Sequence, residues 1–488
     1  FLVVTFLILV VLSVDCRGFS DESIRTSSSS DEISFLDSKL LPQGVAVGDV
    51  SSERALLWLR TDGPAQVRVE YAPSSLWEQA SKLATAVAPV PSTALIRSTA
   101  ETDYTLTVPL DGLSPGTLYR YHVTIVAEDQ SEKPFSGKLA AKGEFITPPD
   151  DKTSTAVTFA WSGDLGGQGR CRQGVGGYPI FDVIHRQDPD FFLFLGDTIY
   201  SDHICPSPPN EPGADFKATT LQTYRVRHRY QRGAEALQRF LRTVSTYVIW
   251  DDHEVKNNFA GPFEEQMPAG RQALREYWPI TSPAEDPHRM YRRVRYGADL
   301  ELFILDVRQY RSRNADPDGP DKTMLGLAQL KWLLDGLHAS TATWKVIATS
   351  VPLSIPKGGD SSVPGNDGWA GGPDGTGFER ERQVIVDAIL NHKIENVVFL
   401  SGDVHWAEAI AYDPDQNGLI DFHEYTAGPL AAPSGRFSPI CDDLNPTQLF
   451  RGSAYHNFGL VRVTKDAFEV TMVDEAGDKR FFHRVSAQ

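Results

Sequence analysis

Cysteine is scarce, with four in 488 residues. That is too few for a disulfide scaffold, so a hydrophobic core must carry the fold. Basic charge is also short: 47 Lys and Arg stand against 64 Asp and Glu, a net charge of -17. Nucleic acid is therefore an unsuitable main partner, because neutralising a phosphate backbone takes a basic surface. A small phosphate-bearing molecule is not excluded, since metal ions or a local arginine cluster can supply the positive charge. No apolar run after the first residues is long enough to span a membrane, and no internal repeat is visible. What is present is ordinary for globular proteins: 41% hydrophobic and 23% charged residues, which rules out disorder over most of the chain. At roughly 100–200 residues per domain the length suits two to four domains.

Phe1–Val14 (FLVVTFLILVVLSV) is apolar except for Thr5 and Ser13. As a helix it rises roughly 21 Å, short of a ~30 Å hydrocarbon core. It fits the apolar segment of an export signal, expected over 1–18 with a truncated start. The protein is accordingly expected to be secreted or periplasmic/extracellular. Surface anchoring is an alternative, because Cys16 follows the run as a lipidated cysteine would; Asp15 stands where a small neutral residue is wanted. Residues 19–39 are Ser-rich and acidic and read as a linker.

From 40 to 148 the pattern is short alternating runs, Arg54–Arg60, Gln66–Tyr71, Tyr104–Val108 and Leu118–Val126, parted by Asp111-Gly112 and Ser114-Pro-Gly116. Period-two alternation at that spacing predicts a small antiparallel β-sandwich. Leu113-Ser-Pro-Gly-Thr-Leu-Tyr-Arg-Tyr121 resembles the corner of fibronectin III/Ig-like modules. Thr147–Asp150 reads as a linker. From 153 to 488 buried-type strands alternate with amphipathic helices, predicting an α/β (α+β) domain. The strands are Ala156–Ser162, Phe191–Leu195, Thr246–Trp250, Leu300–Leu305, Trp344–Ser350 and Val397–Ser401. The helices include Leu327–Leu337 and Glu379–His392, and the tail returns to strand at Leu460–Val463 and Phe468–Val473.

Four of these strands end in acidic or histidine clusters: Ser162-Gly-Asp164, Gly196-Asp197-Thr-Ile-Tyr200, Asp251-Asp252-His253-Glu254 and Gly402-Asp403-Val-His405. Ligands in α/β sheets gather beyond the carboxyl ends of strands. Carboxylates meeting there repel unless protonated or holding cations. Oxygen donors with His and Tyr suit hard or borderline metals rather than a thiolate zinc site. Gly163, Gly196 and Gly402 each precede an Asp and are expected to permit the tight strand exit.

The ordered set GD, GDxxY, DDHE and GDVH resembles the calcineurin-like metallophosphoesterases, in particular the alkaline phosphatase D (PhoD-like) family. Trp250–Asn258 (WDDHEVKNN), Leu305–Arg311 (LDVRQYR), Phe378–Gln383 and Glu424–Leu430 support it. The resemblance runs from about Leu40 to the C-terminus. It implies a β-sandwich followed by a calcineurin-like αββα sandwich. It also implies a metal-dependent phosphatase or phosphodiesterase in which a metal-activated hydroxide attacks phosphorus without a covalent intermediate. By that resemblance Asp197 bridges two ions. Asp164, Tyr200 and His405 complete one site, Asp252 and Asp403 the other, and His253 donates a proton or contacts phosphate. Relatives with an iron–calcium centre carry Cys where this chain has Asp164. Asp, bridging Asp, Tyr and His match the ferric half-site of purple acid phosphatases. Fe(III) and Ca2+ are the expected ions, with Zn2+, Mn2+ or Mg2+ as alternatives in the second site. The expected partners are small-molecule phosphate esters, with no nucleic-acid module and a monomeric chain. A purple-type acid monoesterase and a non-catalytic calcium-binding adhesion protein are the rival readings.

Around that set, Asp251 and Glu254 are expected to support the ligands, Glu254 by orienting His253 or pairing with a cation. Arg170, Asn257 and Arg308 are candidates for substrate binding, Arg forks being matched to phosphate oxygens. Arg308 and Arg311 have Asp306 and Glu301 as alternative partners. The run Tyr224–Arg232 (YRVRHRYQR) reads first as a solvated helix face, second as an active-site rim. Trp369, in the polar stretch Gly358–Gly377, either contacts substrate or pins the loop. Asp413–Glu424 fits the calcium-loop pattern of an EF-hand. Its flanks read as strands, so a hairpin is expected, with or without calcium. Of Cys171, Cys205 and Cys441, the first two are the favoured pair.

Overall fold

The protein is described from a computed structural model over residues 35–82, 90–127, 137–174, 176–357, 366–371 and 376–488. The expected export signal and nearly all of the Ser-rich linker lie outside the described residues.

The N-terminal alternation becomes strand, as Ala65–Pro73 shows with every second residue buried at first. An antiparallel sheet runs in the order Phe35–Leu36, Lys138–Ile146, Leu118–Ala127, Ala65–Pro73, Ile96–Ser98. It shares one core with the strands Val45–Gly48, Arg54–Arg60 and Thr105–Asp111, through Val47, Leu57, Val67, Val69, Tyr121 and Phe145. The Tyr119 hydroxyl accepts the Ser114 N–H at 2.9 Å, closing the corner read from the sequence.

This sandwich is joined to the C-terminal layers by a shared sheet. Val45–Gly48 is buried at all four positions, and it lies parallel to Ser245–Ile249 with Gly48 opposite Thr246. The nine-stranded sheet therefore runs from Lys479–Ser486 at one edge, through Val157–Ser162, Phe191–Leu195 and Ser245–Ile249, into Thr105–Asp111 at the other. A seven-stranded sheet faces it, with Leu300–Ile304, Trp344–Ala348, Val397–Ser401 and Phe422–Thr426 in parallel. The continuous apolar strands, such as Phe-Phe-Leu-Phe-Leu over 191–195, are buried on both faces as parallel strands require. One core joins Phe159, Trp161 and Phe191 of the first sheet to Leu302, Val346 and Leu400 of the second. Ile180–His185 and Glu235–Leu241 cover the outer face of the first sheet. Gly326–Ala339 and Glu379–Asn391 cover that of the second. The result is the expected αββα order.

The helix Leu221–Arg232 corrects the sequence reading. Tyr224, Arg225, Arg227, His228, Tyr230, Gln231 and Arg232 are buried, not solvated. Arg225 grips Glu276 at 2.6 Å and the Glu101 carbonyl, Arg229 pairs with Asp103, and Arg232 lies 3.9 Å over Trp58 and 4.9 Å from Trp278. Trp58 is fully buried and donates its indole N–H to the Glu276 carbonyl at 2.6 Å. It packs N-terminal strand, helix and C-terminal layers together, so Trp58→Ala is expected to cost about 3–5 kcal/mol of unfolding free energy. Chemical denaturation followed by far-UV dichroism checks this.

Candidate metal centre

Val157–Ser162, Phe191–Leu195 and Ser245–Ile249 are parallel neighbours, so their carboxyl ends open at one edge. They deliver Asp164, Asp197 and Asp252 there, and Val397–Ser401 of the facing sheet delivers Asp403 and His405. The turns are strained. Asp164, Asp197, Asp403 and His405 hold φ of +59°, +53°, +69° and +63°, a region that costs a non-glycine residue free energy and clusters at functional sites. The sequence put that conformation on the preceding glycines. Only Gly196 adopts it, at +95°, and a Cβ there would meet Asp251 Cβ at 2.4 Å. At the other two exits the Asp itself turns.

Among the described residues, four groups of side chains at this centre bring their ligand atoms within 4.8 Å of one another: Asp164, Asp197 and His405; Asp197, Asp252 and His253; Asp251, Asp252 and Asp403; and Asp202, His203 and His253. Asp197 belongs to two of them, the place expected of a bridge. The Tyr200 hydroxyl lies 2.8 Å from His405 Nε2. His405 Nδ1 must donate to the Pro433 carbonyl at 2.6 Å, which leaves Nε2 free to accept and turned to the cluster. The buried oxygens Asp164 Oδ2, Asp251 Oδ2, Asp252 Oδ1 and Asp403 Oδ2 have no hydrogen-bond partner. Leaving such groups unpaired is costly. Burial and the charges of Asp252, Asp251, Glu254 and Asp164 push the Asp197 carboxyl far above its usual range. Burial, followed by the Asp251 and Asp252 charges against the opposing pull of Lys357, does the same to Asp403. Burial and the Asp197 charge raise Tyr200. Orphaned, mutually repelling hard donors fit metal cations.

His253 is held by a residue that the sequence does not single out, Asp202. Its Nδ1 lies 2.7 Å from Asp202 Oδ1, and its ring stacks on Tyr200 at 4.3 Å. Asp202 Oδ2 accepts the Asn257 N–H at 2.9 Å. Burial would lower the His253 pKa, but Asp252 and Asp202 outweigh it and lift it to about 9. Asp202 follows Tyr200 by two residues, a spacing that is its only signal. Asp202→Asn is expected to lower kcat by roughly 10- to 100-fold, as loss of a supporting carboxylate does. Steady-state kinetics at constant metal content checks it.

Other expectations shift. Glu254 does not orient His253. It accepts the N–H groups of Asp197 (3.1 Å), Thr198 (2.6 Å) and Asp251 (3.0 Å), tying two strand exits together. Asp251 Oδ1 accepts from Arg308 Nε and the Ser350 hydroxyl, each at 2.6 Å. Arg308 is fully buried between Asp251 and Asp367, both at 2.6 Å. Its Nη2 is buried without a hydrogen-bond partner, and its guanidinium partners are Asp251 and Asp367 rather than Asp306 or Glu301. Arg311 binds Asp367 as well, at 2.9 Å. Asn257 is half-buried beside Asp202 through its backbone. Arg170 is exposed, in electrostatic range of His456. Trp369 is buried and donates toward Thr349, so it pins its loop.

Asp413–Glu424 is a hairpin turn between the antiparallel strands Ala407–Tyr412 and Phe422–Thr426. Asp413, Asp415 and Asp421 converge there within 4.8 Å. Glu424 turns inward to the Leu353 N–H and the Tyr412 hydroxyl, so it is not available as the last ligand of an EF-hand loop. Cys171 and Cys205 form a disulfide, the pair favoured from the sequence, and Cys441 is not part of it.

A family model described as PhoD-like phosphatase matches residues 159–468, more than half of the chain, and its N-terminal-domain counterpart matches 27–149. The chain belongs to the PhoD-like phosphatase family. Alkaline phosphatase D of Bacillus subtilis (strain 168) is 28% identical over 414 residues, covering 76% of this chain and 65% of the relative. The chain thus spans just under two thirds of that relative's length. A solved PhoD structure superposes with a TM-score of 0.72 at 24% identity, over 93% of this chain and 94% of that one. A purple acid phosphatase from yellow lupin (Lupinus luteus) seeds gives 0.61 at 13% identity, over 92% and 75%. Both structures share the fold. In this PhoD-like chain the two sheets of that fold meet at the carboxylate cluster, and among the described residues no helix is long and apolar enough to cross a membrane.

Proposed function

We propose that the chain is an exported hydrolase of small phosphate esters, acting as the relative's name, alkaline phosphatase D, describes. The observation that carries this is the convergence of Asp164, Asp197, Asp252 and Asp403 with Tyr200, His253 and His405, three of these carboxylates each having a buried, unpartnered oxygen. Asp164, Asp197, Tyr200 and His405 would hold one ion; Asp197, Asp252 and Asp403 the other. Iron(III) suits the first, because a tyrosinate is a hard donor. Calcium suits the oxygen-rich second, with zinc, manganese or magnesium as alternatives. Such ions, when bound, supply Lewis acidity and lower the pKa of water.

The chain's own residues do the rest. His253, paired through Nδ1 with Asp202, donates a proton to the leaving alcohol oxygen. Glu254 fixes the exits of Asp197 and Asp251 so that the carboxylates stay in register. The Asp251–Arg308–Asp367 chain holds the floor beneath Asp252. The tyrosine-containing donor set favours one second reading, a purple-type acid monoesterase.

The test is a panel of phosphomonoesters and diesters across pH 4–10, before and after chelation. Turnover that chelation abolishes and metal restores supports the proposal; no turnover by the loaded protein rejects it. An optimum at acid pH selects the second reading. A visible tyrosinate-to-iron band that Tyr200→Phe removes supports iron, and a colourless, iron-free, fully active protein rejects it.

A further inference from the structure

The sequence offers Arg170, Asn257 and Arg308 for substrate binding; among the described residues Lys357 is a further cation at the centre, and its side chain is partly open. Its side chain is 30% exposed, and its ammonium lies 3.5 Å from Asp403 Oδ1. It donates to the Asp403 carbonyl at 3.0 Å. It is in electrostatic range of Asp252 and Asp164 as well. An ammonium has three donors; one is directed at the Asp403 carbonyl. The guanidiniums nearby differ in being fully buried, Arg308 held by Asp251 and Asp367 and Arg311 by Asp367.

We propose that Lys357 binds a non-bridging oxygen of the substrate's phosphoryl group and sets the preference for monoesters over diesters. This rests on the reading of the chain as a phosphate-ester hydrolase. Once cations neutralise the carboxylates, the Lys357 charge is no longer cancelled by them and attracts an anion. A phosphomonoester carries two negative charges near neutral pH, a diester one. An added cation beside the phosphoryl group therefore favours the monoester. A flexible ammonium also tolerates the changing oxygen positions of ground and transition states better than a fixed fork. The Asp403 backbone carbonyl holds the lysine on the same strand exit that supplies a metal ligand, so phosphate and lysine keep a constant spacing.

Inorganic phosphate is titrated calorimetrically into metal-loaded wild type, Lys357→Met and Lys357→Arg, with metal content measured in each. Phosphate binding is expected to weaken roughly 10- to 100-fold in Lys357→Met, the effect of losing a charge-assisted hydrogen bond. Lys357→Arg is expected to restore most of it, and both variants to keep wild-type metal content. In kinetics, KM for a monoester is expected to rise with that factor while the diester changes less. Wild-type phosphate affinity in Lys357→Met, absence of phosphate binding by the wild type, equal losses for both esters, or loss of metal from Lys357→Met would each overturn the assignment. Phosphate binding that depends on Lys357 in a protein that turns over neither ester would sustain this site and reject the hydrolase reading. Turnover with phosphate affinity indifferent to Lys357 would do the reverse.

Discussion

Asp197→Asn is expected to abolish most turnover, lowering kcat/KM by on the order of 10³-fold, while the protein stays folded. Asp197 is the carboxylate common to two ligand clusters, and its Oδ1 also accepts the His253 N–H at 3.2 Å. Asparagine keeps that acceptor and the shape but removes the charge. Burial and then the surrounding carboxylates already hold Asp197 far above its usual pKa, so its charge destabilises the metal-free fold. The same substitution is therefore expected to leave the melting temperature of chelated protein unchanged or raised. Lost turnover with undiminished metal-free stability marks a ligand. A structural residue would lose both. A calcium-binding adhesion module, the non-enzymatic rival, would retain its partner after the change and would have no turnover to lose.

The second large effect is on how stability depends on pH. Asp197 and Asp403 are raised well above the carboxylate range, Glu254 is pushed up to about 7 by burial, and His253 reaches about 9. Unfolded carboxylates titrate near ~4 and histidine near ~6.5. Between those values and the raised ones, the folded protein binds protons that the unfolded chain has released. The contribution of these groups to the stability of the metal-free protein therefore falls as pH rises, by ~1.4 kcal/mol per pH unit for each, while His122, His228 and His423, lowered by burial to about 4, about 3 and about 4, oppose it up to ~6.5. The carboxylates act from about pH 4 upward and His253 between ~6.5 and about 9, all in the same direction. Asp367, drawn down to about 2 by Arg308 and Arg311 against its own burial, acts only in stronger acid. Metal ligands must be deprotonated, so loading reverses the slope. Calorimetric scans at pH 5.5 and 8 are expected to show chelated protein melting higher at 5.5 and metal-loaded protein melting higher at 8. Parallel curves would mean that the cluster and the ions are not linked.

Much of the site is legible in the sequence because Gly-Asp at the end of an apolar strand is a local signal. Asp164, Asp197 and Asp403 stand at such ends, and parallel strands bring them to one edge. Partners that approach from distant segments leave no such mark. Arg308 reads as a phosphate fork until Asp251 and Asp367 close on it, 57 and 59 residues away. The arginines of Leu221–Arg232 read as solvated because Asp103, Glu276 and Trp58, which bury them, come from other segments. Val45–Gly48 shows that it is buried but not that its neighbour is a strand two hundred residues on. Lys357 and Asp202 escape notice for a different reason: single charged residues in loops have no periodicity, and only the fold shows what they face.

These acidic groups can share one buried edge in their charged form only with cations among them, and metal analysis reads that directly. Protein purified without added metal is digested and its metals quantified, beside Asp197→Asn prepared in the same way. Two metal equivalents per chain in the wild type and a clear loss in the variant are expected. Folded, active wild type carrying no metal, or equal metal in both proteins, would contradict it.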